Sequence, residues 1–142
     1  MTMQVCFTVE GEPKGKGRPR FRRTKNFVQT YTDAKTKSYE QQIKDAATRA
    51  MGESEPLETP LSVFLYVRFS VPKSYSKQRT KDCLSGKEKP TKKPDIDNIA
   101  KSHLDAMNGI VYKDDVQVIF ISVKKIYSAI TGVDILVREE LE

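Results

Sequence analysis

The chain has 142 residues, enough for one domain with a modest core. It carries 25 Lys and Arg against 19 Asp and Glu, a net charge of +6, and a pI near 9.3. No apolar run is long enough to span a bilayer and residues 1–5 read as no signal peptide, so the expectation is a single-domain soluble protein inside the cell. The two cysteines, Cys6 and Cys83, lie far apart, and His103 is the sole histidine. A disulfide framework, a zinc site and any site built on several histidines are thereby disfavoured, and a metal would fall to carboxylates.

In chain order, Val5, Phe7 and Val9 alternate with smaller or polar residues and predict a strand over 3–9. Residues 10–31 read as a loop rich in Gly, Pro and Arg. From Lys14 to Lys25 it holds seven basic residues (Lys14, Lys16, Arg18, Arg20, Arg22, Arg23, Lys25) and no acidic one. Phe21, Phe27 and Tyr31 interleave with them, either to stack on unpaired bases or to pin the loop to the core. Asp33 reads as a helix N-cap, Tyr39, Ile43, Ala46, Ala47 and Ala50 follow at helical spacing, and Gly52 ends that helix.

Leu61, Val63, Leu65, Val67 and Phe69 alternate with Ser62, Tyr66, Arg68 and Ser70 and predict the clearest strand. A long connection over 73–94 follows, with a short helix around Ser76 to Leu84. Its stretch from Lys73 to Lys93 has eight basic residues, ending in Lys92 and Lys93, against Asp82 and Glu88. A second helix is predicted from Asp95 to Asn108, stopped by Gly109, with Ile96, Ile99, Ala100, His103 and Met107 as its buried face. Val116–Tyr127 and Val133–Val137 read as closing strands around a turn at 128–132. The order predicts an α+β domain: a small mixed sheet of about four strands with two main helices packed on it.

The acidic residues concentrate in one region of this basic chain. Asp95 and Asp97 flank Ile96 at a helix start, Asp97, Lys101 and Asp105 recur at a spacing of four, and Asp114-Asp115 lies downstream. Carboxylates from two segments can build an oxygen site for a hard divalent cation. Each also has a plainer reading. An aspartate at a helix start serves as a cap, an Asp-Asp pair is common in turns, and Lys101 fits an i,i+4 pair with Asp97 or Asp105. Two aspartates around Ile96 exceed what capping needs. His103 reads as a core residue and Tyr112 as packing. No phosphate-binding Gly-rich loop, nucleophile elbow or multi-histidine nuclease set is present, so a nucleotide cofactor and acyl transfer have no support.

Lys93-Pro94-Asp95-Ile96-Asp97-Asn98-Ile99-x-Lys101, then Leu104-Asp105-Ala106-Met107-Asn108-Gly109, then Val111-Tyr112-Lys113-Asp114-Asp115-x-Gln117-Val118 together resemble the RusA family of Holliday junction resolvases. Gly11-x-Pro13-x-x-Lys16-x-Arg18-Pro19-Arg20 is similar to its phage-type branch. The resemblance implies a RusA-like fold and a homodimeric, Mg²⁺-dependent endonuclease, with Mn²⁺ as a substitute. It would resolve four-way DNA junctions by paired symmetric nicks, in recombination and repair, in the cytoplasm of a bacterial or phage-infected cell. It implies Asp95, Asp97 and Asp115 as metal-binding carboxylates, with Asp114 beside them and Lys101 as the functional lysine. The basic loops holding Lys14, Lys16, Arg18, Arg20, Arg22, Arg23, Lys92 and Lys93 would hold DNA. A general structure-selective nuclease and a non-catalytic DNA-binding module are the competing readings.

Overall fold

The computed structural model describes residues 2–16, 20–23, 28–31 and 34–142. Its centre is a four-stranded mixed sheet in the order β1-β6-β4-β5, built from β1 (Gln4–Glu10), β4 (Leu61–Phe69), β5 (Val118–Tyr127) and β6 (Gly132–Glu139). β6 pairs antiparallel with both β1 and β4, while β4 and β5 run parallel. A parallel pair needs a crossover. Here the crossover is the whole segment 70–117, which carries α2 (Lys77–Ser85) and α3 (Ile96–Met107).

One sheet face holds the core. Leu61, Val63, Leu65, Val67 and Phe69 on β4 are all buried, as the alternation predicted, beside Val5 and Val9 of β1 and Val133, Ile135 and Val137 of β6. α1 (Ala34–Met51) and α3 supply the covering layer. α1 buries Thr36, Tyr39, Ile43, Ala46, Ala47 and Met51, a helical stripe closed by Gly52 at φ 55°. α2 starts at Ser76, whose hydroxyl accepts the Arg79 N–H at 3.1 Å, and stops at Gly86.

Three expectations change. The loop over 10–31 contains a pair of short antiparallel strands, β2 (Arg20–Arg23) with β3 (Val28–Tyr31), whose four residues each are too short and too polar to show a strand period. Arg18, Lys25, Phe27 and the Asp33 cap, and the side chains of Phe21 and Tyr31, lie outside the described residues. Ile96 is not in the buried face of α3; it is 50% exposed, because the helix turns Ile99, Ser102, His103, Ala106 and Met107 inward instead. The segment after Asp114 begins as a short 3₁₀ turn (Asp115–Gln117), so β5 starts at Val118 rather than Val116.

Candidate nuclease site

α3 is the axis of the site. Asp95 is its N-cap, accepting the Asn98 N–H at 3.2 Å, and Asp97 follows in the first turn. Both are exposed. An acceptor at this position satisfies a free N–H, and a negative charge there is favoured by the helix dipole. The plain capping role is therefore real for Asp95, and it leaves Asp97 without a structural duty of that kind.

Across from this helix start runs the strap 13–16. The Lys16 N–H donates to the Asn98 carbonyl at 3.0 Å, and the Ser102 hydroxyl reaches the Lys14 carbonyl at 3.3 Å. Gly15 sits so close to α3 that a Cβ there would lie 2.8 Å from Pro94 Cβ and 2.9 Å from Asn98 Cβ. Only a residue without a side chain fits. The result is a cleft lined by Pro13, Lys14, Gly15, Lys16, Lys93, Pro94, Asp95 and Asn98. Residues from the two basic runs thus meet beside Asp95.

The lysines of this region are not equivalent. Lys14, Lys92 and Lys93 are exposed. Lys16 instead pairs with Glu40 at 2.8 Å and Asp105 at 3.3 Å, and its hydrogen bond to Glu40 raises its pKa above the ordinary lysine value. Lys101 stands 3.9 Å from Asp105, four residues on, with its side chain 63% exposed. Arg20, Arg22 and Arg23 lie on β2, and their side chains, like Arg18, fall outside the described residues.

Asp114 and Asp115 sit at the other end of α3. Asp114 caps the 3₁₀ turn, accepting the Val116 N–H at 3.2 Å, while its own N–H donates to Gln117 Oε1 at 2.9 Å. Gln117 is anchored in turn by donating to the Leu57 and Thr59 carbonyls at 2.9 and 3.0 Å. The Asp115 N–H donates to Asn108 Oδ1 at 2.8 Å. Partial burial pushes the Asp115 carboxyl above its usual range, the neighbouring carboxylates of Asp114 and Asp105 push it the same way, and the Asn108 side chain opposes them. Carboxylates crowded together in this way favour a proton or a cation between them.

The two acidic ends are far apart within one chain. α3 has 12 residues, which spans roughly 18 Å at 1.5 Å per residue. The placement of β5 agrees: Lys125, near its end, feels the Asp95 charge and donates to the Lys92 and Pro94 carbonyls at 2.6 and 2.9 Å, while the 3₁₀ turn before its start holds Asp115. Among the described residues, no group of three or more His, Cys, Asp or Glu is gathered to hold a metal ion. The all-oxygen chemistry of the donors suits a hard divalent cation, but one chain alone does not bring Asp95 and Asp97 to Asp115.

His103 is fully buried. Its Nδ1 faces the Ile99 carbonyl at 2.8 Å and its Nε2 the Tyr39 hydroxyl at 3.3 Å, an arrangement that suits a neutral ring. Burial pulls its pKa down to about 4. Tyr112 is also buried and donates to the Leu104 carbonyl at 2.7 Å. Both are packing residues, as their sequence context indicated. Asn108 and Gln117 stood in the quoted strings without an assigned role, and Lys125 was not singled out from sequence. Gln117 also fits the Asp-x-x-Gln capping pattern; Lys125 left no trace, because its partners Lys92 and Pro94 are remote in sequence.

The family model described as endodeoxyribonuclease RusA matches residues 10–138. The uncharacterized protein YqaN of Bacillus subtilis (strain 168) is 37% identical over 137 residues, covering 95% of this chain and 96% of that protein. No helix among the described residues is long and apolar enough to cross a membrane. The matched span takes in the strap, all of α3 and the Asp114-Asp115 turn, and the chain belongs to the RusA family of endodeoxyribonucleases, enzymes that resolve Holliday junctions.

Proposed function

We propose that this protein is a divalent-metal-dependent resolvase that acts as a homodimer and nicks a four-way junction symmetrically. The observation that carries the reading is the meeting of Lys14 and Lys93, from two separate basic runs, beside Asp95 in one cleft. A phosphodiester backbone would lie along the lysines, with the scissile phosphate at the α3 N-terminus, whose partial positive charge also favours a phosphate. Asp95, Asp97 and Asp115 would hold Mg²⁺, or Mn²⁺ in its place. When bound, the ion would supply a water of lowered pKa and neutralise charge on the phosphate.

The chain's own groups divide the remaining work. Asp95 keeps the first turn of α3 in place by accepting the Asn98 N–H, and it is exposed there. Asp97 is free of capping duty. Lys101, exposed one turn further on, adds positive charge where negative charge develops. Asn108 and Gln117 fix the turn that carries Asp115. Since the two acidic ends of α3 are separated in one chain, a second copy would bring Asp115 to Asp95 and Asp97, and a two-fold dimer would supply two such sites for two nicks.

The capping bonds of Asp95 and Asp114 favour one rival, a DNA-binding module in which the aspartates are only structural. A cleavage assay on a synthetic four-way junction, with a flap and a linear duplex as controls, separates the readings. The resolvase gives paired symmetric nicks in the junction that need Mg²⁺ or Mn²⁺. Junction binding without metal-dependent cleavage overturns it in favour of the module, and equal cutting of flap and junction points to a broader nuclease.

A further inference from the structure

β5 carries a lysine where its register calls for an apolar side chain. Val123, Lys125 and Tyr127 pair with Leu65, Val67 and Phe69 of β4, all three of which are buried in the core face. Paired residues of neighbouring strands share a face, and so do alternate residues of one strand. Lys125 therefore lies on the helix-bearing face, between half-buried Val123 and buried Tyr127. Lys124, paired with exposed Tyr66, lies on the opposite face. A lysine on a core face needs partners for its ammonium.

Those partners are backbone. Lys125 Nζ donates to the Lys92 carbonyl at 2.6 Å and to the Pro94 carbonyl at 2.9 Å, and it lies 5.5 Å from the centre of the Phe69 ring. The two carbonyls bracket Lys93. The second belongs to the peptide plane that carries the Asp95 N–H, so the grip reaches the residue that caps α3. Pro94 is also the residue against which Gly15 of the strap packs with no room for a Cβ. The two lysines of this turn then part: Lys92 Nζ sits 5.7 Å from the centre of the Tyr127 ring, whereas Lys93 lines the cleft.

We infer that Lys125 is a positioning residue of the cleft: by holding the backbone on both sides of Lys93, it delivers that lysine to the DNA and sets the entry of Asp95 into α3. This rests on the reading of the cleft as the seat of DNA and deepens it. A methionine at 125 keeps an unbranched apolar stem on the same face and lacks only the ammonium donors.

Lys125→Met and Lys124→Met remove the same charge from adjacent positions on opposite faces. Both should keep native circular dichroism. Lys125→Met should weaken junction binding and lower the log–log salt slope by about 0.9, the value for one lost phosphate contact. Lys124→Met should leave both at wild type. In a Lys93→Ala background, Lys125→Met should change neither further, since the two substitutions act through one contact. A purely structural staple lowers the melting temperature without moving the slope, and that result overturns the proposal. Equal losses in Lys124→Met, or additive losses in the Lys93→Ala background, overturn it as well and leave the cleft reading standing. Wild-type binding in Lys93→Ala strikes the cleft reading, and the proposal falls with it. Should Lys125→Met not fold, the wild-type protein supplies the check, because an ammonium held by two carbonyls exchanges its protons slowly enough to give a resolved magnetic-resonance signal. A Lys125 ammonium that exchanges as fast as that of Lys124 overturns the hold.

Discussion

Asn108 Oδ1 accepts the backbone N–H of Asp115 at 2.8 Å, and this bond ties the C-terminal end of α3 to the turn that presents the Asp115 carboxylate. Asn108→Ala should leave the protein folded, at a cost of about 1 kcal/mol for the lost hydrogen bond. It should raise the half-saturating Mg²⁺ concentration for junction cleavage by roughly 10–100-fold, as loss of a supporting partner does at metal sites. Titration of cleavage against Mg²⁺ checks this. An unchanged metal dependence would reduce Asn108 to a helix-end residue.

Asp95 combines a cap and a charge, and two substitutions separate them. Asp95→Asn keeps an acceptor for the Asn98 N–H, so stability should hold while cleavage is lost. Asp95→Ala should lose cleavage and about 1 kcal/mol of stability as well. Asp97→Asn, with no cap to lose, should abolish cleavage and leave junction binding equal or tighter. Urea melts and band-shift assays on the three proteins decide the matter.

Gly15→Ala should be more damaging than its size suggests. The new methyl would meet Pro94 Cβ at 2.8 Å and Asn98 Cβ at 2.9 Å, neither of which can swing away. Overpacking of this kind costs about 1–3 kcal/mol. The strap would lift from α3, and junction affinity should fall with stability. Wild-type affinity in a stable Gly15→Ala protein would mean that the cleft does not hold DNA.

The lysines should respond differently to salt. Replacing Lys14, Lys92 and Lys93 with Ala should weaken binding to all DNA structures and lower the log–log salt slope by about 0.9 per lost phosphate contact. Removing Arg18, Arg20, Arg22 and Arg23 should lower it further. Lys16→Ala should instead cost stability and leave the slope nearly unchanged, because that lysine is committed to Glu40 and Asp105. Binding isotherms at several salt concentrations provide the comparison.

His103 titrates near pH 4 in the fold and near 6.5 in the unfolded chain, so the unfolded state takes up the proton first as pH falls. Its contribution to stability is complete above about pH 6.5, declines through the interval down to about 4, and is flat below. The full loss is on the order of 3 kcal/mol. His103→Gln removes this titration. The stability difference between wild type and His103→Gln should therefore change across that interval and be constant above it, as followed by urea denaturation between pH 4 and 8.

The sequence alone determined those features whose cause is local. Alternation in Leu61–Phe69 marked β4, the 3.6-residue stripe from Tyr39 to Ala50 marked α1, and the Asp-x-Asp-Asn-x-x-x-Lys string with Asp-Asp-x-Gln marked the family. The same string could not say where its halves lie, because Asp97 and Asp115 are joined in sequence by a helix whose length separates them in space. Nor could it place Ile96, which takes its exposure from the rotation of α3 on the sheet rather than from its own apolar side chain. Lys14 and Lys93 became one cleft only because Gly15 lets the strap touch α3. Lys16, alike in sequence to its neighbours, differs from Lys14 in being paired with Glu40 and Asp105. These are contacts between segments distant in the chain. Local propensity carries no information about them, and they are decided when the sheet and its two covering helices bring the segments together.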